Sequence, residues 1–247
     1  MQNLPLISII TSSFNDAINL EKTIQNIALH TYPNLEYIVI DGGSSDGTKE
    51  LLMASKGVVN YWISEFDHGI YDAWNKGLAQ AKGQYIAFLG AGDCYLPGGL
   101  EDLVTLALRN PQAEFIFGKV SVQSSDQKKR IIGKPWSWSL FRHYMCTTHV
   151  GALHSRKLFD HYGIFDPSYQ IAGDYELLLR ANRQLKTSFS TKVVAVMLAG
   201  GVSQRNHTVL YEAMRAKLHH KAVSRVTAKW DFMIAYLKLA IRHNFLS

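Results

Sequence analysis

Tyr37–Thr48 reads YIVIDGGSSDGT: four apolar residues ending on Asp41, then two glycines, two serines and an Asp-Gly pair. A short apolar run bounded by turn residues is the pattern of a buried strand. Gln84–Asp93, QYIAFLGAGD, repeats the arrangement and ends on Asp93 behind two glycines. A carboxylate is costly to bury without a partner. Two of them released at strand ends into glycine turns predict a polar ligand above a sheet: a metal ion, a ribose or a phosphate.

Working outward, the first half alternates strands and helices. Leu6–Thr11 is a predicted strand, and Ala17–Leu29 carries apolar residues at helical spacing. Leu35–Ile40, Val58–Ile63, Gln84–Leu89 and Phe115–Val120 are further strands. Between them lie helices at Ser45–Ala54, Ile70–Ala81 and Pro97–Arg109. Ser45 is the expected N-cap of the second helix, with Asp46 in its first turn. This rhythm predicts a mainly parallel central sheet flanked by helices, with ligands beyond the carboxyl ends of the strands. The loops at 11–16, 41–47, 64–69 and 90–95 then share one rim. The second half is less regular. Ser121–Arg130 reads as a hairpin tip or loop, Gly173–Leu185 as a helix and Thr187–Leu198 as a strand. Helices are expected at Asn206–Leu218 and Thr227–Ile241.

The chain has 247 residues, 47% hydrophobic and 19% charged, with a net charge of +6. That is ample material for one domain with a small appendage. Basic residues dominate between Arg205 and Arg242, where the only acids are Glu212 and Asp231. A basic balance fits anionic partners. Nucleic acid is disfavoured, because the excess lies in a late helix rather than along aromatic strands. Cys94 and Cys146 form no CxxC pair or metal-ligand spacing and read as reduced structural thiols of a cytosolic protein. No signal peptide is expected in MQNLPLISII, and no run reaches the roughly 20 apolar residues of a membrane-spanning helix.

Two common nucleotide sites fail at their diagnostic positions. A dinucleotide fold needs glycines after its first strand, where this chain has TSSFND, and no GxxxxGK[ST] loop occurs. PLISIITSSFN, DGGSSDGT and SEFDHGIYDAWNKGLAQAKGQYIAFLGAGD, in that order and spacing, resemble the family 2 glycosyltransferases with the GT-A fold. The likeness is to bacterial members of polysaccharide and lipopolysaccharide gene clusters. It continues through HVGALHSRKLF, GIFDPSYQIAGDYELLLR and LAGGVS, and fades after Asn206.

The resemblance implies an inverting enzyme that moves a sugar from a nucleotide donor, most often a UDP-sugar, to a hydroxyl of a growing, lipid-linked or free, surface glycan. It places Ser13, Asn15 and Asp41 around base and ribose, with Asp41 accepting a base N–H. Asp72 and Lys76 share a helix face at i and i+4; they either contact nucleotide and phosphate or form an ordinary ion pair. The free N–H groups of His68-Gly69 offer a second phosphate contact. Asp93 corresponds to the last carboxylate of the family's DxD motif and implies Mn²⁺ or Mg²⁺ on the diphosphate. The first acid of that motif is replaced by Ala91, which weakens the site. His149 and His207 are candidate compensating ligands, beside the alternative that each is structural.

Asp174, in IAGDYELLLR, aligns with the family's catalytic carboxylate and is the expected general base, with Glu176 in reserve. Trp136 and Trp138 stack an acceptor sugar or pack the core. Gly200–Ser203 reads as a loop closing over the pyrophosphate, with Arg205 beside it. The division expected is 1–205 as the GT-A catalytic domain (1–95 nucleotide-sugar half, 96–205 acceptor half) and 206–247 as a basic amphipathic helical extension. That extension either lies on the inner face of the cytoplasmic membrane or packs on the domain or at a homodimer contact. The rival activities are a nucleotidyltransferase that makes nucleotide sugars and a non-catalytic nucleotide-sugar-binding protein of the same fold.

Overall fold

A computed structural model describes residues 4–124, 128–199 and 207–244. Four parallel strands form one half of the sheet: β3 (Tyr61–Ser64), β2 (Leu35–Asp41), β1 (Ile7–Ser13) and β4 (Tyr85–Phe88), in that spatial order. The sheet continues through β8 (Ala152–Ser155), β6 (Phe115–Gln123), β9 (Thr187–Leu198) and β5 (Cys94–Tyr95), with β7 (Lys129–Ile132) hairpinned onto β6. β8 runs antiparallel to both β4 and β6, and β5 antiparallel to β9. The second half is therefore mixed rather than parallel.

Side-chain alternation divides the core into two layers. Ile10, Ile38, Ile40, Ile86, Phe88, Phe115 and Phe117 face one side. Helices α3 (Ile70–Gln80), α6 (Arg156–Tyr162), α7 (Gly173–Ala181) and α8 (Thr208–His219) cover that layer. Ile7, Ile9, Tyr37, Val39, Ala87 and Ile116 face the other side, against α1 (Ala17–Ala28), α2 (Thr48–Ala54) and α4 (Gly99–Arg109). A short α5 (Trp138–Phe141) and the last helix, α9 (Arg225–Asn244), complete the described chain. Ala216 of α8 is fully buried, so α8 belongs to the first layer.

Three local expectations are corrected. Helix α2 begins at Thr48, not Ser45, because Gly47 adopts φ 94° and breaks the turn ahead of it. Asp46, lying before the helix, accepts from the Thr48 N–H (3.2 Å) and hydroxyl (2.6 Å). The third strand starts at Tyr61, since Val58 and Val59 both donate to the Ser55 carbonyl in a turn. α7 ends at Ala181, and a single 3₁₀ turn (Asn182–Gln184) follows. β8 went unread in the sequence because all four of its residues are buried and leave no period-2 signal.

Candidate active site

The register aligns the carboxyl ends of the parallel strands. Ser13 pairs with Asp41, and Asp41 with Ser64. Asp41 is fully buried. Its carboxylate accepts from the Ser44 N–H (3.0 Å), the Ser64 hydroxyl (2.5 Å) and the Ser44 hydroxyl. It therefore organises the turn that follows it. The Ser44 hydroxyl belongs to the DGGSSDGT turn read from the sequence, whereas Ser64, on the neighbouring strand, was not singled out there. Ser13 Oγ is buried and has no hydrogen-bond partner among the described residues, an unmet demand at the rim.

The first two rim loops are sewn together. The Asn15 N–H donates to Ser44 Oγ (2.7 Å), and the Ser45 N–H donates to Asn15 Oδ1 (2.9 Å). Asn15 sits at φ 49°, a left-handed conformation that a non-glycine residue rarely adopts. Phe14 and Phe66 stand exposed beside this turn.

Asp72 and Lys76 do meet, at 3.5 Å, but Lys76 Nζ is also 2.9 Å from Glu65 and donates to the Phe66 carbonyl at 2.9 Å. The expectation for His68-Gly69 is corrected: neither N–H is free. His68 N donates to Asp72 Oδ2 (3.0 Å) and Gly69 N to Asp67 Oδ1 (2.9 Å), so two acids cap the start of α3.

The Gly90–Asp93 turn is fixed from α1. The Thr23 hydroxyl accepts from the Gly92 N–H (2.8 Å) and lies 3.1 Å from the Asp93 carbonyl. Gly92 has φ 89°, and a Cβ there would meet Leu198 at 2.4 Å, so the turn admits only glycine without rearrangement. Asp93 accepts from the Leu198 N–H (3.0 Å) and Gly90 N–H (3.2 Å), which ties it to the end of β9. Desolvation pushes its pKa up to about 7, against the pull of these two N–H groups. Among the described residues no ion pair to a cation is made by this carboxylate. No group of three or more His, Cys, Asp or Glu suited to a metal occurs among the described residues. A divalent ion fits here only with Asp93 as its protein carboxylate and the remaining ligands from diphosphate and water.

Asp174 stands at the start of α7. Its Oδ1 accepts from the Tyr175 N–H (2.7 Å) and the Tyr71 hydroxyl (3.3 Å). Tyr71, on α3, also donates to the Ile171 carbonyl (2.7 Å), so it joins the first half of the chain to the acid. Gly173 makes this possible: a Cβ there would lie 2.7–2.9 Å from the Tyr71 ring. Burial raises the pKa of Asp174 to about 6, while its two hydrogen bonds pull the other way. Glu212, on α8, is buried and accepts the N–H groups of Gln170 (2.7 Å), Ile171 (2.8 Å) and Ala172 (2.8 Å). It fixes the approach to Asp174. Sequence reading passed over Glu212, since an isolated acid in a basic helix carries no motif.

The remaining candidates lie elsewhere. Glu176 is buried and committed to Arg180 (2.5 Å) and His220 (2.6 Å). His149 is enclosed by Trp74, Phe88, Phe115, Phe165 and His154. Burial lowers its pKa to about 3; it is a core residue rather than a rim ligand. Trp136 packs on Phe141 with ring centroids 4.4 Å apart. Trp138 lines a separate cavity with Arg142, Asn182 and Lys221. His207 sits 5.4 Å from the Tyr236 ring. Arg205 and the Gly200–Ser203 loop lie outside the described residues.

Solved structures share this fold. Two solved structures superpose on the chain. One is S. aureus TarS 1-349 in complex with UDP-GlcNAc, with TM-score 0.70, 15% identity, and 92% of this chain and 70% of that chain covered. The other is the mannosyltransferase PcManGT from Pyrobaculum calidifontis in complex with GDP-Man and Mn2+, with TM-score 0.67, 18% identity, and coverage of 98% and 76%. Their likeness identifies the fold as that of GT-A glycosyltransferases. By sequence, the chain is 33% identical to an uncharacterized glycosyltransferase of Mycobacterium tuberculosis over 73% of its own length and 70% of that protein's. It is 26% identical to a PGL/p-HBAD biosynthesis glycosyltransferase of Mycobacterium bovis, over 77% and 76%. Residues 8–160 match the profile described as Glycosyl transferase family 2, which spans more than half of the chain. On that match and these relatives, the protein is a glycosyltransferase and belongs to glycosyltransferase family 2.

Proposed function

We propose that the protein transfers a sugar from a UDP-sugar to an acceptor hydroxyl with inversion at the anomeric carbon, and that Asp174 is the base. The observation that carries this reading is the state of the Asp174 carboxylate. One oxygen is held by Tyr71 and the Tyr175 N–H, while Oδ2 has no partner among the described residues. A carboxylate with one oxygen fixed and the other open is arranged to take a proton. Its raised pKa brings it close to the working pH. A single displacement requires the acceptor oxygen to lose that proton as it attacks opposite the departing diphosphate. The α-to-β or β-to-α change, read by NMR of the first-formed product, tests inversion; a retained configuration excludes it.

Ser13, Asn15 and Asp41 build the pocket for base and ribose, and exposed Phe14 and Phe66 offer faces for stacking. Asp72 and Lys76 close its side; for Lys76 to meet a phosphate it must leave Glu65. The UDP-GlcNAc held by TarS supports a uridine donor for this chain. The sheet and turns described here lack the glycine- and basic-rich loop that a nucleotidyltransferase needs for a triphosphate. Screening UDP-, GDP- and TDP-sugars by thermal shift tests the donor class, because a bound ligand raises stability in step with its concentration over Kd.

Asp93 would hold a divalent cation, which when bound neutralises charge on the diphosphate leaving group. The Mn2+ in the PcManGT complex supports this. Proton and cation compete for the same carboxylate. With the pKa near 7, cation affinity rises as pH climbs through 7 and levels off above it. Asp93→Asn is expected to abolish the Mn²⁺-dependent part of the donor-induced melting shift. A shift that stays Mn²⁺-dependent in the variant removes Asp93 from this role.

The acceptor proposed is a glycan, lipid-linked in the setting of a membrane surface. No helix among the described residues is long and apolar enough to cross a membrane. α9 instead exposes Val226, Trp230, Met233, Leu237 and Ile241 beside Arg225, Lys229 and Lys238. A basic helix with an exposed apolar face suits an anionic interface. Co-sedimentation with anionic vesicles, but not with neutral ones, is expected, and Lys229→Glu with Lys238→Glu should reduce it several-fold. Equal pelleting with both vesicle types, or a concentration-dependent dimer without vesicle binding, assigns the face to protein instead.

A further inference from the structure

We infer that the acceptor carries an apolar alkyl or aryl group next to its nucleophilic hydroxyl, and that this group lies in the cavity between α7, α8 and α9. The inference rests on Asp174 as base and adds the acceptor's chemical class. The cavity measures about 500 Å³, within the range of small-molecule sites. Met145, Ile171, Leu210, Met214, Phe232 and Ala235 are among its apolar lining, and Asp174 is part of the lining too.

The charges around it decide what can enter. Asp231 is already paired with Lys217 (2.9 Å) and His143 (3.1 Å), so this cluster is internally satisfied, and the other lining charge besides Asp174, Lys238, is on an exposed residue of α9. Asp174 Oδ2 is not. A bare sugar placed here would bury several ring hydroxyls against apolar wall, and each unpaired hydroxyl costs free energy. An acceptor whose alkyl or aryl group fills the cavity, with its sugar left at the mouth beside Asp174, gains the apolar burial and still brings one hydroxyl to the unpaired carboxylate oxygen. The cavity also takes Phe232 and Ile234 from α9, the helix with the exposed apolar face, so an amphiphile held at a lipid surface has a short path to the acid.

The test is calorimetric titration of methyl, octyl and phenyl β-glucosides, below micelle concentrations, into the full chain with UDP present. Octyl or phenyl glucoside is expected to bind at least ten-fold tighter than methyl glucoside. A longer gain for octyl points to an alkyl source, and for phenyl to an aryl one. Ala213→Trp, which fills the cavity from α8, should remove the difference. Ala235→Leu is a milder filling from α9 and should shrink it; circular dichroism and the UDP melting shift report that each variant is folded. Equal affinity for all three glucosides, or a preference that survives both fillings, overturns the inference. Asp174→Asn separates the two ideas. Normal turnover in that variant defeats the base assignment, while the titrations still judge the cavity.

Discussion

Asp174→Asn is expected to lower kcat by about 10²- to 10⁴-fold, the usual contribution of a positioned general base. The amide oxygen can still accept from the Tyr175 N–H and the Tyr71 hydroxyl, so the local geometry has little reason to change. The position of Oδ2 would hold an NH₂ group, which cannot take the acceptor's proton. Donor binding, read as the UDP-sugar melting shift, should persist because the nucleotide rim is built from other strands. The wild-type pH profile is a second readout. Only the deprotonated carboxylate is a base, so with a pKa of about 6 the rate rises with pH through 6 and is flat above it. Below 6 it falls by about tenfold per pH unit. The acid limb should vanish in Asp174→Asn along with most turnover. Near wild-type kcat in that variant would falsify the assignment.

Glu212→Gln is expected to be among the most destabilising single changes in the chain, though it is nearly isosteric. Three backbone N–H groups converge on this buried carboxylate. An amide presents one acceptor and one donor, so at least one N–H would face an NH₂ group in a buried site. Hydrogen bonds to charged groups contribute about 1.5–3 kcal/mol each, and orphaned buried donors add their desolvation cost. A loss of about 3 kcal/mol is the expected value, near the upper end for one lost charged hydrogen bond with its donor left buried. In a domain of this size that lowers Tm by about 6–12 °C. Glu212 acts on the chemistry only through Asp174, so kcat should fall with KM for the donor unchanged. Glu212→Asp, which keeps the charge on a shorter stem, should recover part of both. A Tm within 2 °C of wild type, read by calorimetry, would show that the 170–172 turn does not depend on it, since about 2 °C corresponds to no more than about 1 kcal/mol in a chain of this size.

The first half of the chain was legible from local pattern. Strands β1, β2 and β4 are apolar runs bounded by turn residues, and their order along the chain places Ser13, Asp41 and the Gly90–Asp93 turn on one rim. The second half was not. β8 is buried on all four residues, and its antiparallel insertion between β4 and β6 depends on contacts far apart in sequence. His149 illustrates the same limit: nothing near it in the chain reveals that Trp74, from α3, and Phe165 close over its ring.

What the sequence alone determined was the pair of acids at strand ends, the family to which their glycine turns belong, and the position of Asp174 in GDYE. Those follow from short-range patterning, where burial period and turn chemistry are written residue by residue. Tertiary structure decided what each acid is free to do. Asp41 is engaged by Ser44 and Ser64, and Asp93 by β9, whereas Asp174 keeps one oxygen open because Tyr71 and Glu212, distant in the chain, hold its surroundings in place. Part of that saturation is local, as where Ser44 meets Asp41, but the contacts from Ser64, β9, Tyr71 and Glu212 belong to the packed neighbourhood and are not written in any short stretch of sequence.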